Sequence, residues 1–286
     1  MHRLLVLGFI LLSFLATVAP PVSAAAPVVQ TPLAVTFPGK GDVTLNGFLY
    51  MPAGSGPFPA VVAMHGCSGL TDSKGQPSER HADWGTRLAA QGFAVLFPDS
   101  YGSRGLGPQC KISDRDISPS KDRPEDAKAA LAYLVSRGDI KADAVSLMGW
   151  SNGGSTTLYS VEPKRAPKHG EADFAKAVAF YPGCRDPLGT GKWATRMPLL
   201  ILIGEADDWT AAAPCHDLVT AAKAAGEPID IVGYPGAYHD FDHPNSPVHV
   251  VEGLAFAASG TGKAHTGTNP AARADALTRV PAFLAR

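Results

Sequence analysis

The sequence has little charge and, beyond its N-terminus, no long apolar run. Lys and Arg together number 25 and Asp and Glu number 26, so the formal net charge is -1 at pH 7 and only 18% of residues are charged. Binding to a nucleic-acid backbone requires a basic face, which this composition does not provide. A membrane-spanning helix requires about 20 consecutive apolar residues. We therefore expect no nucleic-acid partner and no stable membrane insertion of the mature protein.

The N-terminal residues are typical of a secretory signal peptide. His2 and Arg3 precede an apolar run at 4–18, and Ser23 and Ala24 offer a small-residue cleavage site. The run is shorter than a spanning helix, which makes a retained anchor the weaker alternative. We predict a signal peptide over 1–24 and a mature protein that is exported, either to the periplasm or as a secreted protein.

Cysteine is scarce, with four residues at Cys67, Cys110, Cys184 and Cys215. No close pair of cysteines or histidines has the spacing of a zinc site, so no metal is predicted. An even number of cysteines in an exported protein favours disulfides, and four cysteines allow three pairings. We favour Cys67 with Cys110 and Cys184 with Cys215, because each pair would join loops that leave neighbouring strands at one edge of the sheet described next. Free, buried thiols are the alternative.

Apolar segments alternate with segments of helical periodicity along the chain. The pattern predicts strands at 43–50, 60–64, 93–97, 144–148, 177–180, 199–203 and 229–233, and helices near 84–89, at 124–135, from 152, at 211–225 and from about 269. Strands that alternate with helices indicate an α/β fold with a mainly parallel sheet and helices on both faces. No linker or repeat interrupts it, so we predict a single domain over 25–286.

Two long irregular stretches, 99–123 and 243–268, each follow a predicted strand. Loops of this length are uncommon in a compact domain unless they serve a function. Ligands of such sheets bind at the carboxyl ends of the strands. We therefore expect both stretches to form walls of a binding site.

The pentapeptide 149–153 has the form G-x-S-x-G and stands between a predicted strand and a predicted helix. This is the context of a nucleophile elbow, in which a sharp turn presents the serine hydroxyl above the sheet. The motif predicts Ser151 as a nucleophile, and a glycine-rich turn with an incidental serine is the alternative.

A neutral serine needs a histidine to accept its proton and a carboxylate to orient that histidine. In this fold the order along the chain is nucleophile, acid, histidine. His239 follows the strand at 229–233 and is the predicted base, with His243 as the nearest rival. His65 precedes the serine along the chain and is expected to brace its own loop.

The acid should lie just past the strand at 199–203. Glu205, Asp207 and Asp208 all stand there. We prefer Asp207 over Asp208, with Glu205 third, because of the position expected just past the strand end. The other carboxylates would be solvated or would cap the next helix.

Acyl transfer also needs two fixed donors for the oxyanion of the tetrahedral intermediate. The elbow motif assigns one donor to the residue after the serine, which is the backbone N–H of Asn152. The loop after the strand at 60–64 should supply the other, which we assign to the N–H of Cys67.

These motifs resemble those of the dienelactone hydrolase family over nearly the whole mature chain. The resemblance is carried by His65-Gly66, Pro98-Asp99, the Ser151 elbow, the loop at 204–207 and His239-Asp240-Phe241. It implies a compact α/β-hydrolase that acts on esters or lactones without a metal or organic cofactor. The namesake enzymes carry a cysteine in the elbow where this chain has Ser151.

In that family an arginine shortly after the fourth strand helps to hold the substrate carboxylate. The resemblance makes Arg104 the candidate here, although it is not in register, and a surface cation is the alternative.

The motifs together predict a serine hydrolase that cleaves carboxylic ester or lactone bonds of a small-molecule substrate through an acyl-enzyme on Ser151. A peptidase or an acyltransferase could use the same triad, because the triad does not fix the leaving group. A catalytically silent binding protein that keeps the pocket is the alternative outside enzymes.

Overall fold

The computed structural model describes residues 31–189 and 193–286. The predicted signal peptide, 1–24, lies outside these residues. The strands are β1 (Leu33–Pro38), β2 (Thr44–Tyr50), β3 (Phe58–Met64), β4 (Ala94–Pro98), β5 (Ile140–Trp150), β6 (Ala177–Phe180), β7 (Leu199–Gly204), β8 (Ile229–Tyr234), β9 (His249–Glu252) and β10 (Lys263–Thr266). The helices are α1 (Glu79–Ala90), α2 (Arg123–Val135), α3 (Asn152–Ser160), α4 (Arg185–Gly189), α5 (Ala212–Ala224) and α6 (Pro270–Ala285).

Strands β1 to β8 form one sheet in the order β1-β2-β4-β3-β5-β6-β7-β8. The pairs β1–β2 and β2–β4 are antiparallel, and every pair from β4 to β8 is parallel. Strands β9 and β10 form a separate antiparallel hairpin. The predicted α/β-hydrolase fold with a mainly parallel sheet is therefore confirmed.

The strand order also places helices on opposite faces of the sheet. The connection from β3 through α1 to β4 runs toward the β1 edge, whereas the connections through α2 and α3 run toward the β8 edge. With right-handed crossovers, opposite directions put the helices on opposite faces. The reversal falls between β3 and β5, which are neighbours, and their carboxyl ends mark the point where sheets of this kind bind ligands.

The central strands are buried along their length. Every residue of β4 and β7 is buried, as parallel strands covered on both faces require. Beneath the carboxyl edge, the Trp150 ring stacks on Phe97 and Phe180, with ring centroids 6.1 and 5.5 Å apart. This aromatic layer packs under the turn that follows β5.

Some elements differ from the sequence prediction. Strand β1 precedes the first predicted strand, and β9 and β10 lie inside the stretch that we predicted to be irregular. Most of β1 is exposed at the sheet edge, and β9 and β10 are short with polar ends, so none of the three has the apolar periodicity of a core strand. These strands form because they pair with neighbouring strands, and hydrophobic periodicity in the sequence does not predict such pairing.

Two disulfides join Cys67 to Cys110 and Cys184 to Cys215, the pairs that the sequence favoured. The first connects the turn after β3 to the long loop before α2, and the second connects the segment after β6 to α5. Both are compatible with an oxidising compartment. No helix within the described ranges is long and apolar enough to cross a membrane.

Replacing Cys67 and Cys110 together with serine should lower the free energy of unfolding by up to about 4 kcal/mol, because the chain-entropy model credits a loop of this size with that amount. The loop spans 43 residues. Urea unfolding of the oxidised parent and the variant measures the difference. The Cys184→Ser/Cys215→Ser variant opens a loop of similar size and should lose a similar free energy of unfolding. Equal midpoints for parent and variant would contradict this expectation.

Candidate active site

Ser151 stands in a sharp turn between β5 and α3, with φ +53° and ψ −115°. Few residues other than glycine adopt positive φ, so the turn is strained. A Cβ at Gly149 would lie 2.2 Å from the carbonyl oxygen of Gly153, and a Cβ at Gly153 would lie 2.0 Å from that of Met64. Both glycines are therefore required sterically, Gly149 because the end of β5 packs against the first turn of α3, and Gly153 because that turn packs against the end of β3.

Three strand ends bring a hydrogen-bonded relay together. The Ser151 hydroxyl lies 2.9 Å from His239 Nε2, and His239 Nδ1 lies 2.8 Å from Asp207 Oδ2. With Nδ1–H donating to the carboxylate, Nε2 is free to accept the serine proton. All three side chains are buried, and Ser151 and its neighbour Asn152 reach the wall of the cleft described below.

The Asp207 carboxylate is held by its own loop. Its Oδ1 accepts the backbone N–H groups of Trp209 at 2.9 Å and Thr210 at 2.8 Å. The Thr210 hydroxyl lies 3.1 Å from Asp207 Oδ2 and 3.0 Å from the carbonyl oxygen of Tyr181. These contacts fix the carboxylate toward His239.

The other two candidate acids are engaged elsewhere. Asp208 accepts the backbone N–H of His265 at 2.7 Å and lies 2.8 Å from Nδ1 of the same residue, so it anchors strand β10. Glu205 lies 2.8 Å from His216 Nε2. The geometry therefore favours Asp207 among the three.

His239 is enclosed by aromatic rings. The Tyr181 ring centroid is 4.5 Å away and that of Trp209 is 4.7 Å away. Burial lowers the pKa of His239. The charge of Asp207 and its hydrogen bond raise the pKa by more than burial lowers it, so the pKa lies above the ordinary 6.5. The rival His243 accepts a bond from the backbone N–H of Asn245 and has its pKa lowered, with burial as the largest cause.

This pKa direction predicts the acid limb of the activity profile. A base works only when it is unprotonated, so kcat/KM should rise with pH through the pKa of His239 in the free enzyme. We expect the midpoint of this limb above 6.5. Initial rates with a neutral ester between pH 5 and pH 9 would measure it. A midpoint below the ordinary histidine value would contradict the assignment of His239 as an Asp207-linked base.

The two predicted oxyanion donors belong to residues at the cleft. Cys67 and Asn152 both line the cleft beside Ser151. The carbonyl oxygen of Cys67 accepts the N–H of Gln109 at 2.7 Å, and the Asn152 side-chain oxygen accepts the Tyr101 hydroxyl at 3.2 Å. The segments that bear both amides are thus fixed by neighbouring loops.

His65 lies at the base of the first of these segments. Its Nε2 accepts the backbone N–H of Ser100 at 3.1 Å, and burial together with the charge of Arg123 holds its pKa well below the usual range. A neutral, fully buried imidazole suits the predicted role as a brace of the loop.

Sequence reasoning missed a buried polar network behind the relay. The Asp242 carboxylate accepts the indole N–H groups of Trp84 at 2.7 Å and Trp150 at 2.8 Å, and the Tyr181 hydroxyl at 2.6 Å. Arg80 donates to Tyr181 and pairs with Asp240, the residue after His239. The network secures the loop that carries the base, and the only sequence signal for it is Asp240 and Asp242 beside His239.

A cleft of about 660 Å³ opens above Ser151. As expected, both long stretches line it, through residues such as Arg115 and Ser118 from the first and Leu254 and Phe256 from the second. Backbone contacts join the two walls, because the N–H of Ala255 donates to the carbonyl oxygen of Cys110 at 3.1 Å.

Arg104 is placed away from this cleft. Its guanidinium donates to both oxygens of Asp126, at 3.0 and 2.7 Å, and to the carbonyl oxygen of Ser100 at 2.7 Å. It does not line the cleft. The expectation that Arg104 contacts substrate is therefore corrected, because a buried carboxylate occupies its guanidinium. In the described part of the chain, no three His, Cys, Asp or Glu side chains are grouped to hold a metal ion.

Known proteins give an independent comparison. The sequence profile of the dienelactone hydrolase family matches residues 45–286. The chain belongs to the dienelactone hydrolase family. The family predicted from the motifs is thus confirmed, and this chain is a family member with serine in the elbow.

Individual proteins are similar to this chain in sequence or in fold. A Methylorubrum extorquens protein named "Putative carboxymethylenebutenolidase" is 27% identical over 221 residues, covering 74% of this chain and 72% of its own. The Thermogutta terrifontis esterase 2 phosphorylated by paraoxon shares the fold, with a TM-score of 0.62 and 20% identity over 90% of this chain and 95% of its own. The dipeptidyl aminopeptidase BIII of Pseudoxanthomonas mexicana is 25% identical over 74% of this chain, which spans only 34% of that protein.

Proposed function

We propose that this family member hydrolyses carboxylic esters or lactones of small molecules through an acyl-enzyme on Ser151. The observation that carries the proposal is the relay from Ser151 through His239 to Asp207, with bonds of 2.9 and 2.8 Å. Such a relay generates a nucleophile from a neutral hydroxyl.

In the first half-reaction, His239 accepts the Ser151 proton while the oxygen attacks the ester carbonyl. The negative charge of the tetrahedral intermediate falls on the carbonyl oxygen, where the N–H groups of Cys67 and Asn152 can donate to it. His239 then gives the proton to the leaving alkoxide, and the acyl group remains on the serine.

In the second half-reaction, water loses a proton to His239 and attacks the acyl-enzyme through a second oxyanion. Collapse releases the carboxylic acid and restores the serine hydroxyl. In a lactone the leaving alkoxide stays attached to the acyl group, so a single hydroxy acid is released.

The test is turnover on matched substrates: p-nitrophenyl esters of increasing acyl length, aliphatic lactones, and anilides or dipeptides with the same acyl group. Hydrolysis of esters or lactones with amides untouched supports the proposal. Faster hydrolysis of peptides would favour the peptidase alternative, which the similarity to an aminopeptidase suggests. Transfer to added alcohols in preference to water would favour an acyltransferase, and ligand binding without turnover a silent binding protein.

Export is the second part of the proposal. The N-terminal apolar run and the two disulfides support it. Intact mass of the protein recovered outside the cytoplasm should correspond to a chain that starts at Ala25 with both disulfides formed. Recovery in the cytoplasm with the N-terminus intact would contradict export.

A further inference from the structure

Arg123 is a fully buried cation that forms no ion pair with the described residues. The residue begins α2 and has no exposed surface. No carboxylate among residues 31–189 and 193–286 forms a salt bridge with it, and its Nε has no hydrogen-bond partner there. Burying a charge in this way is unfavourable, and a neutral side chain would avoid the desolvation cost. The charge therefore calls for an explanation in function.

The contacts of Arg123 reach both halves of the proposed oxyanion hole. One guanidinium nitrogen donates to the carbonyl oxygen of His65 at 2.7 Å, at the start of the turn that leads to Cys67. Another donates to the side-chain oxygen of Asn152. These bonds connect chain segments that are 58 and 29 residues from Arg123.

The residues around Arg123 hold its guanidinium in place. None of the nearby carboxylates in the described ranges neutralises its charge through a direct contact. The Arg123 guanidinium lies over the Tyr101 ring, 5.1 Å from its centroid, and Tyr101 donates to the same Asn152 oxygen. The nearby carboxylate Asp126 is already paired with Arg104, and Asp99 accepts the N–H groups of its own turn. Arg123 does not line the cleft and so does not touch substrate.

We propose that Arg123 is a positioning residue of the oxyanion hole, which fixes the Cys67 and Asn152 amides relative to each other and supplies a buried positive charge beneath them. The charge favours the tetrahedral oxyanion over the neutral ester, since electrostatic catalysis uses preset charges in a site of low dielectric. The inference rests on the proposed function, because it assumes that Ser151 forms such an intermediate.

The test is Arg123→Met beside Arg123→Lys. We expect the methionine variant to lose about 10- to 100-fold in kcat with little change in KM, a smaller loss than the removal of a direct oxyanion donor causes. Lysine should restore part of the loss because it keeps the charge. Arg196→Met is the matched control, because it removes a largely buried guanidinium that pairs with Asp173 away from the cleft.

Inhibitor binding distinguishes a role of Arg123 in the oxyanion hole from a role in protein stability alone. A trifluoromethyl ketone forms an oxyanion on the serine, whereas the amide analogue of the same acyl group stays neutral. The Arg123→Met variant should lose affinity for the ketone in parallel with kcat/KM and keep its affinity for the amide. Equal losses for both ligands, or full kcat in a folded variant, would overturn the proposal. A parent protein that hydrolyses no ester would instead overturn the proposed function.

If Arg123→Met does not fold, a second pair of variants tests the role of the Arg123 charge. Asn152→Asp keeps an acceptor for Arg123 but neutralises its charge, whereas Asn152→Leu removes the acceptor and leaves the charge. The proposal expects Asn152→Asp to have the lower kcat. The reverse order would overturn the electrostatic part of the proposal, because the lost contact with Asn152 would then matter more than the lost charge.

Discussion

Replacing Ser151 with alanine is expected to lower kcat by a factor on the order of 10⁶, the loss found when the nucleophile of such a triad is removed. The relay converts a neutral hydroxyl into a nucleophile through His239, and no other side chain is bonded to His239 Nε2 among the described contacts. Substrate binding should persist, since the cleft walls are unchanged. Steady-state rates with a p-nitrophenyl ester would measure the loss, and stopped-flow traces with excess substrate would show whether the burst of acylation disappears.

Ser136→Ala is the control for this variant, because Ser136 is exposed at the end of α2 and does not line the cleft. It should retain the activity of the parent. Residual turnover of Ser151→Ala above about one thousandth of the parent would indicate a different nucleophile, since only binding and the oxyanion hole would remain.

Replacing Asp207 with asparagine is expected to lower kcat by about 10⁴, because the amide stabilises the wrong tautomer of the histidine. His239 Nδ1 would then face an N–H donor in place of the carboxylate that it contacts at 2.8 Å. The burial of His239 would no longer be offset by the charge of Asp207, and its pKa should fall. Steady-state kinetics and an NMR titration of the imidazole would measure both effects.

Asp208→Asn is the matched control, since it makes the same change one residue along the chain. Its half-exposed pair with His265 anchors β10, and loss of such a pair lowers stability by at most about 1 kcal/mol. The kcat of this variant should therefore stay close to that of the parent. A larger loss for Asp208→Asn than for Asp207→Asn would contradict the assignment of the acid.

The sequence predicts the catalytic residues of the site better than the residues that hold them in place. Ser151 is marked by a motif whose glycines the turn requires sterically, and His239 is marked by its place after a strand. Both signals are local, so a single sequence contains them. The choice between Asp207 and Asp208 is not local, because adjacent side chains turn to different partners, His239 and His265.

The supports of the site could not be predicted, because they depend on contacts between distant segments. Arg123 meets His65 and Asn152 only when α2 packs beneath the ends of β3 and β5, and no motif marks it. For Arg104, the sequence predicted a role that the structure does not support. Its position after β4 suggested a substrate contact, but its side chain turns to Asp126, 22 residues along the chain.

The most direct test of the central claim is labelling by a fluorophosphonate, followed by intact mass and peptide mapping. The claim is that His239 activates Ser151, which lies 2.9 Å from its Nε2. We predict a single adduct, located on Ser151, in the folded parent protein, no adduct in Ser151→Ala, and much slower labelling of Asp207→Asn. An adduct that persists in Ser151→Ala, or a folded parent that takes up no probe, would contradict the account.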